Sequence, residues 1–257
     1  MSDLKNKLVF ITGASSGIGK ASAELFAGAG AKLLLAARRI DRLNTFANEL
    51  HTNYKTTVKS IKLDVRNYNE VKSSFSQLDT DWQKIDILIN NAGLSRGLDK
   101  IYEGKTEDWN EMIDTNIKGL LYVTRIVLPG MVKRNKGHII NIGSIAGHEA
   151  YPGGNVYSST KFAVNGLTKS FRIDLLGKNI KVCSVDPGLV ETEFSIVRYS
   201  GDEEKAKNTY KGLTPLIARD IAETVFFCAN RPEHVNIDEI IMTPVAQAST
   251  AYVHREK

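Results

Sequence analysis

A β-rich run, Leu8-Val-Phe-Ile-Thr12, breaks at Gly13-Ala-Ser-Ser-Gly17-Ile-Gly19, and the helical Lys20-Ala-Ser-Ala-Glu-Leu-Phe-Ala begins at once. Strand, glycine turn and helix in that order leave little but a βα unit whose helix crosses back to a second parallel strand. Lys32-Leu-Leu-Leu-Ala-Ala37 is that second strand. The glycines let backbone approach a phosphate, and a helix N-terminus attracts its charge. Gly13, Ser15, Ser16, Gly17, Ile18 and Gly19 are therefore candidates for holding a dinucleotide pyrophosphate.

The alternation continues. Helices are expected over 41–51, 69–82, 106–133, 155–177 and 220–230, and strands over 58–63, 85–89, 137–144, 180–185 and 236–242. Residues 193–215 lack strong periodicity and read as a mobile lid with a short helix. No linker or repeat divides the chain. The expectation is one α/β domain over 1–257, a Rossmann fold with a doubly wound, seven-stranded parallel sheet and helices on both faces. Ligands of such sheets sit beyond the carboxyl ends of the strands.

Composition narrows the function classes. The net charge of +5 is dispersed rather than gathered into a run, which argues against a nucleic-acid surface and mildly favours anionic ligands. Cys183 and Cys228 lie in apolar runs without metal or redox spacing, so buried thiols in a reducing, cytoplasmic compartment are expected, and no metal. The chain runs almost directly into its first strand, which reads as no signal peptide. No apolar run approaches membrane-spanning length.

Where NAD sites carry an acid for the ribose hydroxyl, this sequence has Arg38-Arg39, which suits the 2′-phosphate of NADP. Asp64, with Val65 beside it, ends the third strand; its carboxylate either reaches an adenine amino group or caps the next helix. Asn90-Asn91-Ala92-Gly93 is small and polar, as suits a turn against a flat ring. Asn116 falls on the apolar stripe of the 106–133 helix, where its amide either satisfies neighbouring backbone or holds a water. Pro187, Gly188, Val190 and Thr192 form a turn at the carboxyl end of the sixth strand.

Tyr157 and Lys161 are four apart on a predicted helix and share a face, with Ser144 at the preceding strand end. A phenol, an ammonium and a hydroxyl there suit moving a proton on or off an alcohol oxygen. Tyr68 and Lys72 repeat the spacing without that context and read as a solvated helix face.

Taken together, Thr12-Gly-x-x-x-Gly17-x-Gly19, Asn90-Asn-Ala-Gly93, Asn116, Ser144, Tyr157-x-x-x-Lys161 and Pro187-Gly188 resemble the short-chain dehydrogenase/reductase family over essentially the whole chain. Leu128-Pro-Gly-Met-Val, Gly153-Gly-Asn-Val-Tyr157 and Gly188-Leu-Val-Glu-Thr-Glu-Phe-Ser195 look like its NADP-dependent 3-hydroxy acid dehydrogenases, which act on serine and L-allo-threonine and reduce malonate semialdehyde. The resemblance implies that Tyr157 is the general acid–base, that Lys161 lowers its pKa and holds the nicotinamide ribose, and that Ser144 binds the substrate oxygen. It further implies that Asn116 anchors a relay water and that Val190 and Thr192 hold the carboxamide. A hydroxy acid needs a carboxylate anchor, for which Arg198 and Arg96 are candidates. Family members are commonly homotetramers. The alternatives are an NADP carbonyl reductase of another ketone, sugar or acyl thioester, and a cofactor-sensing protein without chemistry.

Overall fold

The computed structural model describes residues 4–256. In chain order its elements are β1 (Leu8–Thr12), α1 (Gly17–Gly28), β2 (Lys32–Ala37), α2 (Ile40–Tyr54), β3 (Val58–Lys62), α3 (Tyr68–Ser76) and β4 (Ile87–Asn90). There follow α4 (Thr106–Ile113), α5 (Leu120–Arg134), β5 (Gly137–Ile142), α6 (Asn155–Asp174) and β6 (Ile180–Pro187). The chain ends with β7 (Val190–Glu191), α7 (Glu193–Arg198), α8 (Glu203–Asn208), β8 (Leu216–Ile217), α9 (Ala218–Ala229) and β9 (Glu239–Met242).

Seven strands form one parallel sheet in the order β3-β2-β1-β4-β5-β6-β9, so the order reverses between β1 and β4. Alternate residues of each strand face opposite sides of the sheet. Val9, Ile11, Leu33, Leu35, Ile87 and Ile89 pack against Phe26 of α1, Leu43 and Phe46 of α2, and Ile221 and Val225 of α9. Leu8, Phe10, Leu34, Leu88 and Ile139 face Val71 of α3 and Val123, Val127 and Met131 of α5. The continuous apolar character of β1, β2 and β4 follows from that double coverage. No helix among the described residues is long and apolar enough to cross a membrane.

Several boundaries differ from expectation. The 69–82 helix stops at Ser76 and a separate 3₁₀ turn spans Thr80–Gln83. The 106–133 helix contains a π-helical stretch, Asp114–Gly119, between α4 and α5. Such a stretch inserts a residue into the helix without changing the 3.6 periodicity on either side, so the apolar pattern does not reveal it. Residues 193–215 hold two short helices rather than one, and β7 pairs with β8 in a two-stranded sheet too short for any periodicity to register.

His138 on β5 is fully buried, its Nε2 3.6 Å from Cys183 Sγ, and its Nδ1 has no hydrogen-bond partner among the described residues. Burial, with the nearby Lys181 cation, pushes its pKa down to about 3. The unfolded chain therefore takes up a proton near pH 6.5 that the folded chain refuses, and stability falls as pH drops through that window. The cost is about 2 kcal/mol by pH 5. Burial acts oppositely on Asp186, whose raised pKa, about 6, adds stability on acidification. His138→Leu isolates the histidine: the drop in Tm between pH 7.5 and pH 5 should shrink, and an unchanged drop removes His138 as the acid-sensitive group.

Candidate active site

The carboxyl ends of β1, β2, β4, β5 and β6 border one cleft of about 510 Å³. That size is typical of a cofactor-and-substrate site. Gly13, Ser15, Ser16, Gly17 and Ile18 line it at one end, with Arg38, Arg39, Asp64 and Val65. Gly13 adopts φ +66°, which an L side chain resists. Gly19 lies beneath the cleft instead of lining it: a Cβ there would sit 2.5 Å from Asn91 Nδ2 and 2.6 Å from Gly13 O. Its part is to let α1 pack against the loop.

The Asn91 side chain braces that loop, donating to Thr12 O at 2.9 Å and Gly13 O at 3.1 Å. Thr12 Oγ1 in turn accepts the Asn91 and Ala92 backbone N–H groups at 3.1 and 3.0 Å. Ala92 and Gly93 line the cleft. Asn90 turns into the core, donating to Thr124 Oγ1 and Asn141 Oδ1.

At the ribose end, Asp64 faces the cleft but is forked by Arg66 at 2.6 to 3.0 Å, and that hydrogen bond chiefly holds its carboxyl below the usual range. Glu111 gathers Arg96, Arg66 and Arg38 at 2.6, 3.1 and 3.8 Å. The bond from Arg96 is the main reason its pKa is lowered. Arg96 also donates to Val197 O at 2.8 Å and does not line the cleft, so its charge is committed to Glu111.

Ser144, Tyr157 and Lys161 line the same cleft, with Pro187, Gly188, Val190 and Thr192. Ser144 lies just past the end of β5, where its Oγ accepts from Ala146 N at 3.1 Å and donates to Pro187 O at 3.3 Å, beside the Tyr157 phenol whose pKa it helps to lower. Tyr157 is buried, its ring edge-on to Phe194 at 5.7 Å. Lys161 Nζ donates to Ile142 O at 2.9 Å and stands 5.9 Å from the Tyr157 ring centre. Burial lowers Lys161 to about 8. Burial also raises the Tyr157 pKa, and the cation opposing that rise is Arg198, 5.3 Å from the ring centre, rather than Lys161. Asn116 sits one layer behind. Its Oδ1 accepts from Leu94 N and its Nδ2 donates to Leu94 O and Thr160 Oγ1, which satisfies backbone as one of the two readings of its amide proposed.

Arg198 is the feature that spacing alone left undecided. Its Nη2 donates to Tyr151 OH at 3.1 Å, its guanidinium packs on Phe194 and Tyr157, and its Nε is buried without a partner among the described residues. It lines the cleft. Tyr151 was not singled out from the sequence; its place in a glycine-rich loop just before α6 carries no periodic signal. The same holds for His148, whose Nε2 lies 2.6 Å from the buried Asp186 and ties the Ser144 loop to the Pro187 turn.

Residues 7–202 match the short chain dehydrogenase family. An NADP-dependent 3-hydroxy acid dehydrogenase of Salmonella typhi is 47% identical over 250 residues, covering 96% of this chain and 99% of that protein. One from Schizosaccharomyces pombe is 45% identical over 258 residues, covering all of both chains. Among solved structures, the closed form of a serine dehydrogenase complexed with NADP+ superposes with a TM-score of 0.90 at 44% identity, covering 97% of this chain and 100% of that one. An alcohol dehydrogenase from the archaeon Thermococcus sibiricus, complexed with 5-hydroxy-NADP, superposes with a TM-score of 0.83 at 28% identity, covering 95% of this chain and 98% of that one.

Proposed function

The chain belongs to the short chain dehydrogenase family, and on that premise we propose a mechanism and a set of site roles for it. The protein is an NADP-dependent oxidoreductase acting on the CH–OH group of small 3-hydroxy acids; on our reading its substrates are serine and L-allo-threonine, or malonate semialdehyde in reverse. One observation carries the substrate class: a half-buried guanidinium, Arg198, with its Nε unpaired among the described residues, lies beside the Tyr157 ring in the same cleft.

The residues present fit the cofactor. The Gly13–Ile18 loop is shaped for close backbone approach, and Arg38 is half exposed at the cleft edge, its ion contact with Glu111 a loose 3.8 Å. NADP, when bound, supplies the hydride acceptor or donor at its nicotinamide. Ala92, Gly93, Pro187, Gly188, Val190 and Thr192 wall the end where that ring would lie. Tyr157 removes or returns the proton at the substrate oxygen. Ser144 donates a hydrogen bond to that oxygen and stabilises charge developing there. Lys161, held by Ile142 O, fixes a positive charge behind the phenol and stands ready for the ribose hydroxyls. Arg198 holds the carboxylate. A sugar or larger ketone would leave that guanidinium facing an uncharged group, at a desolvation cost.

Two coarser traits complete the reading. The exposed Phe162 and Ile173 of α6, with open space beside Gly166 on the same face, support helix pairing in a homotetramer. Residues 193–215 serve as the substrate lid of a single domain, and the protein works in the cytoplasm, which its buried, unpaired thiols suit.

Initial rates with L-serine, L-allo-threonine and 3-hydroxypropanoate, each with NADP and with NAD, test the assignment. Reduction of NADP by at least one of them, with NAD far slower, is expected. NADP binding without turnover of any of the three would remove the substrate class.

A further inference from the structure

Arg39 lines the cleft, but its guanidinium is already engaged across the mouth. Its Nη1 and Nη2 each lie 3.0 Å from Glu193 Oε2, and Nη2 also donates to Ser16 Oγ at 3.0 Å and Ser15 Oγ at 3.3 Å. Arg42, one turn along α2, pairs with the other carboxylate oxygen, Oε1. Both oxygens of Glu193 therefore carry an arginine. Burial alone would raise this carboxyl, but the hydrogen bonds from Arg42 and Arg39 outweigh it and hold the pKa below the usual range.

The position of Glu193 gives the pairing its consequence. It is the first residue of α7, directly after the capping Thr192, whose side chain stands 3.5 Å from where a Cβ of Gly17 would be. Ser15, Ser16 and Arg39 belong to the bank formed by the glycine loop and the start of α2; Glu193 begins the segment 193–215 on the other bank. The pair links residues 154 apart in sequence across the mouth of one cleft. Arg38, its neighbour, makes a looser ion contact, 3.8 Å from Glu111, and lies near Asp64.

We infer that Glu193 is a latch: it fastens the lid segment to Arg39 and Arg42, so that Arg39 serves lid closure over the cofactor while Arg38 is left to read the 2′-phosphate. The inference rests on the NADP reading of the cleft. It gives the two adjacent arginines different signatures. An element that holds the lid shut slows escape of any nicotinamide dinucleotide, with or without the phosphate. An element that reads the phosphate changes the ratio between the two cofactors.

Stopped-flow dissociation of NADPH and of NADH from the full-length protein separates these, read by the fluorescence of the bound dinucleotide. Glu193→Gln keeps shape and removes charge; it should speed release of both cofactors to a similar extent, on the order of fivefold, as expected for a multiply bonded but partly exposed ion pair. Arg39→Ala should do the same, and the double variant should release no faster than either single one. Arg38→Ala should instead weaken NADPH and leave NADH nearly unchanged. Unaltered release from Glu193→Gln, or loss of NADPH-over-NADH preference in Arg39→Ala, overturns the latch. Failure of Arg38→Ala alone to change that preference would overturn the phosphate reading while the latch stood on its own two variants.

Discussion

Tyr157→Phe is expected to lower kcat about 10²- to 10⁴-fold, the usual worth of a positioned general acid–base, while NADP still binds. The substitution removes one oxygen. The ring, edge-on to Phe194 and under the Arg198 guanidinium, stays in place, so the fold and the wall of the cleft are kept. What goes is the phenol oxygen that stands with Ser144 and Lys161 in the cleft. Neither Ser144 nor Lys161 replaces it. The serine hydroxyl is a poor acid, and the Lys161 ammonium is directed at Ile142 O. Direction matters too. Burial raises the Tyr157 pKa, so the protein by itself favours the protonated phenol, the form that gives a proton in reduction. Oxidation needs the phenolate, so its rate should climb with pH, and reduction should fade at the alkaline end. Steady-state rates in both directions, NADPH fluorescence titration and a melting curve check the set. A variant keeping a tenth of wild-type kcat would mean the proton travels by another group.

How far the sequence discloses this site depends on which physical rule places each residue. β1, β2 and α1 were readable because an apolar run, a glycine turn and a helical pattern are local signals, and their register follows once the sheet is parallel. Tyr157 and Lys161 were readable because four residues on a helix define one face. The Asp114–Gly119 π stretch was not: it leaves the apolar stripe unbroken, with Asn116 still buried on it. Gly19 shows the limit of a motif, since its position matches the glycine pattern while the structure gives it a packing task under Asn91. Arg38 and Arg39 show the limit of adjacency: two arginines in a row look alike in sequence, yet one meets Glu193 from a segment 154 residues away and the other does not. Likewise Arg96 and Arg198 were equal candidates on spacing. Only the long-range partners, Glu111 for one and Tyr151 for the other, separate them.

That separation yields the second large expected effect. Arg198→Ala should raise KM for L-serine and other 3-hydroxy acids about 10- to 150-fold, the equivalent of about 1.5–3 kcal/mol for hydrogen bonds to a charged group. The guanidinium is held at the cleft wall by its bond to Tyr151 OH and its packing on Phe194, so a carboxylate entering the cleft meets a positioned cation. An alcohol of similar size without a carboxylate should bind the variant as it binds the parent, which separates a lost anchor from a distorted cleft. A second signature follows from the 5.3 Å contact with the Tyr157 ring. Arg198 opposes the rise that burial imposes on the phenol, so removing it lets that pKa rise further. The pH at which oxidation reaches half its plateau should therefore move up in Arg198→Ala, and the change should be smaller in Arg198→Lys, which keeps the charge but loses the planar fork. A merely structural arginine would alter KM for charged and uncharged substrates alike and leave that midpoint in place. Unchanged KM for serine, with the midpoint unmoved, would take Arg198 out of the substrate site and leave the carboxylate to be held from another part of the cleft wall.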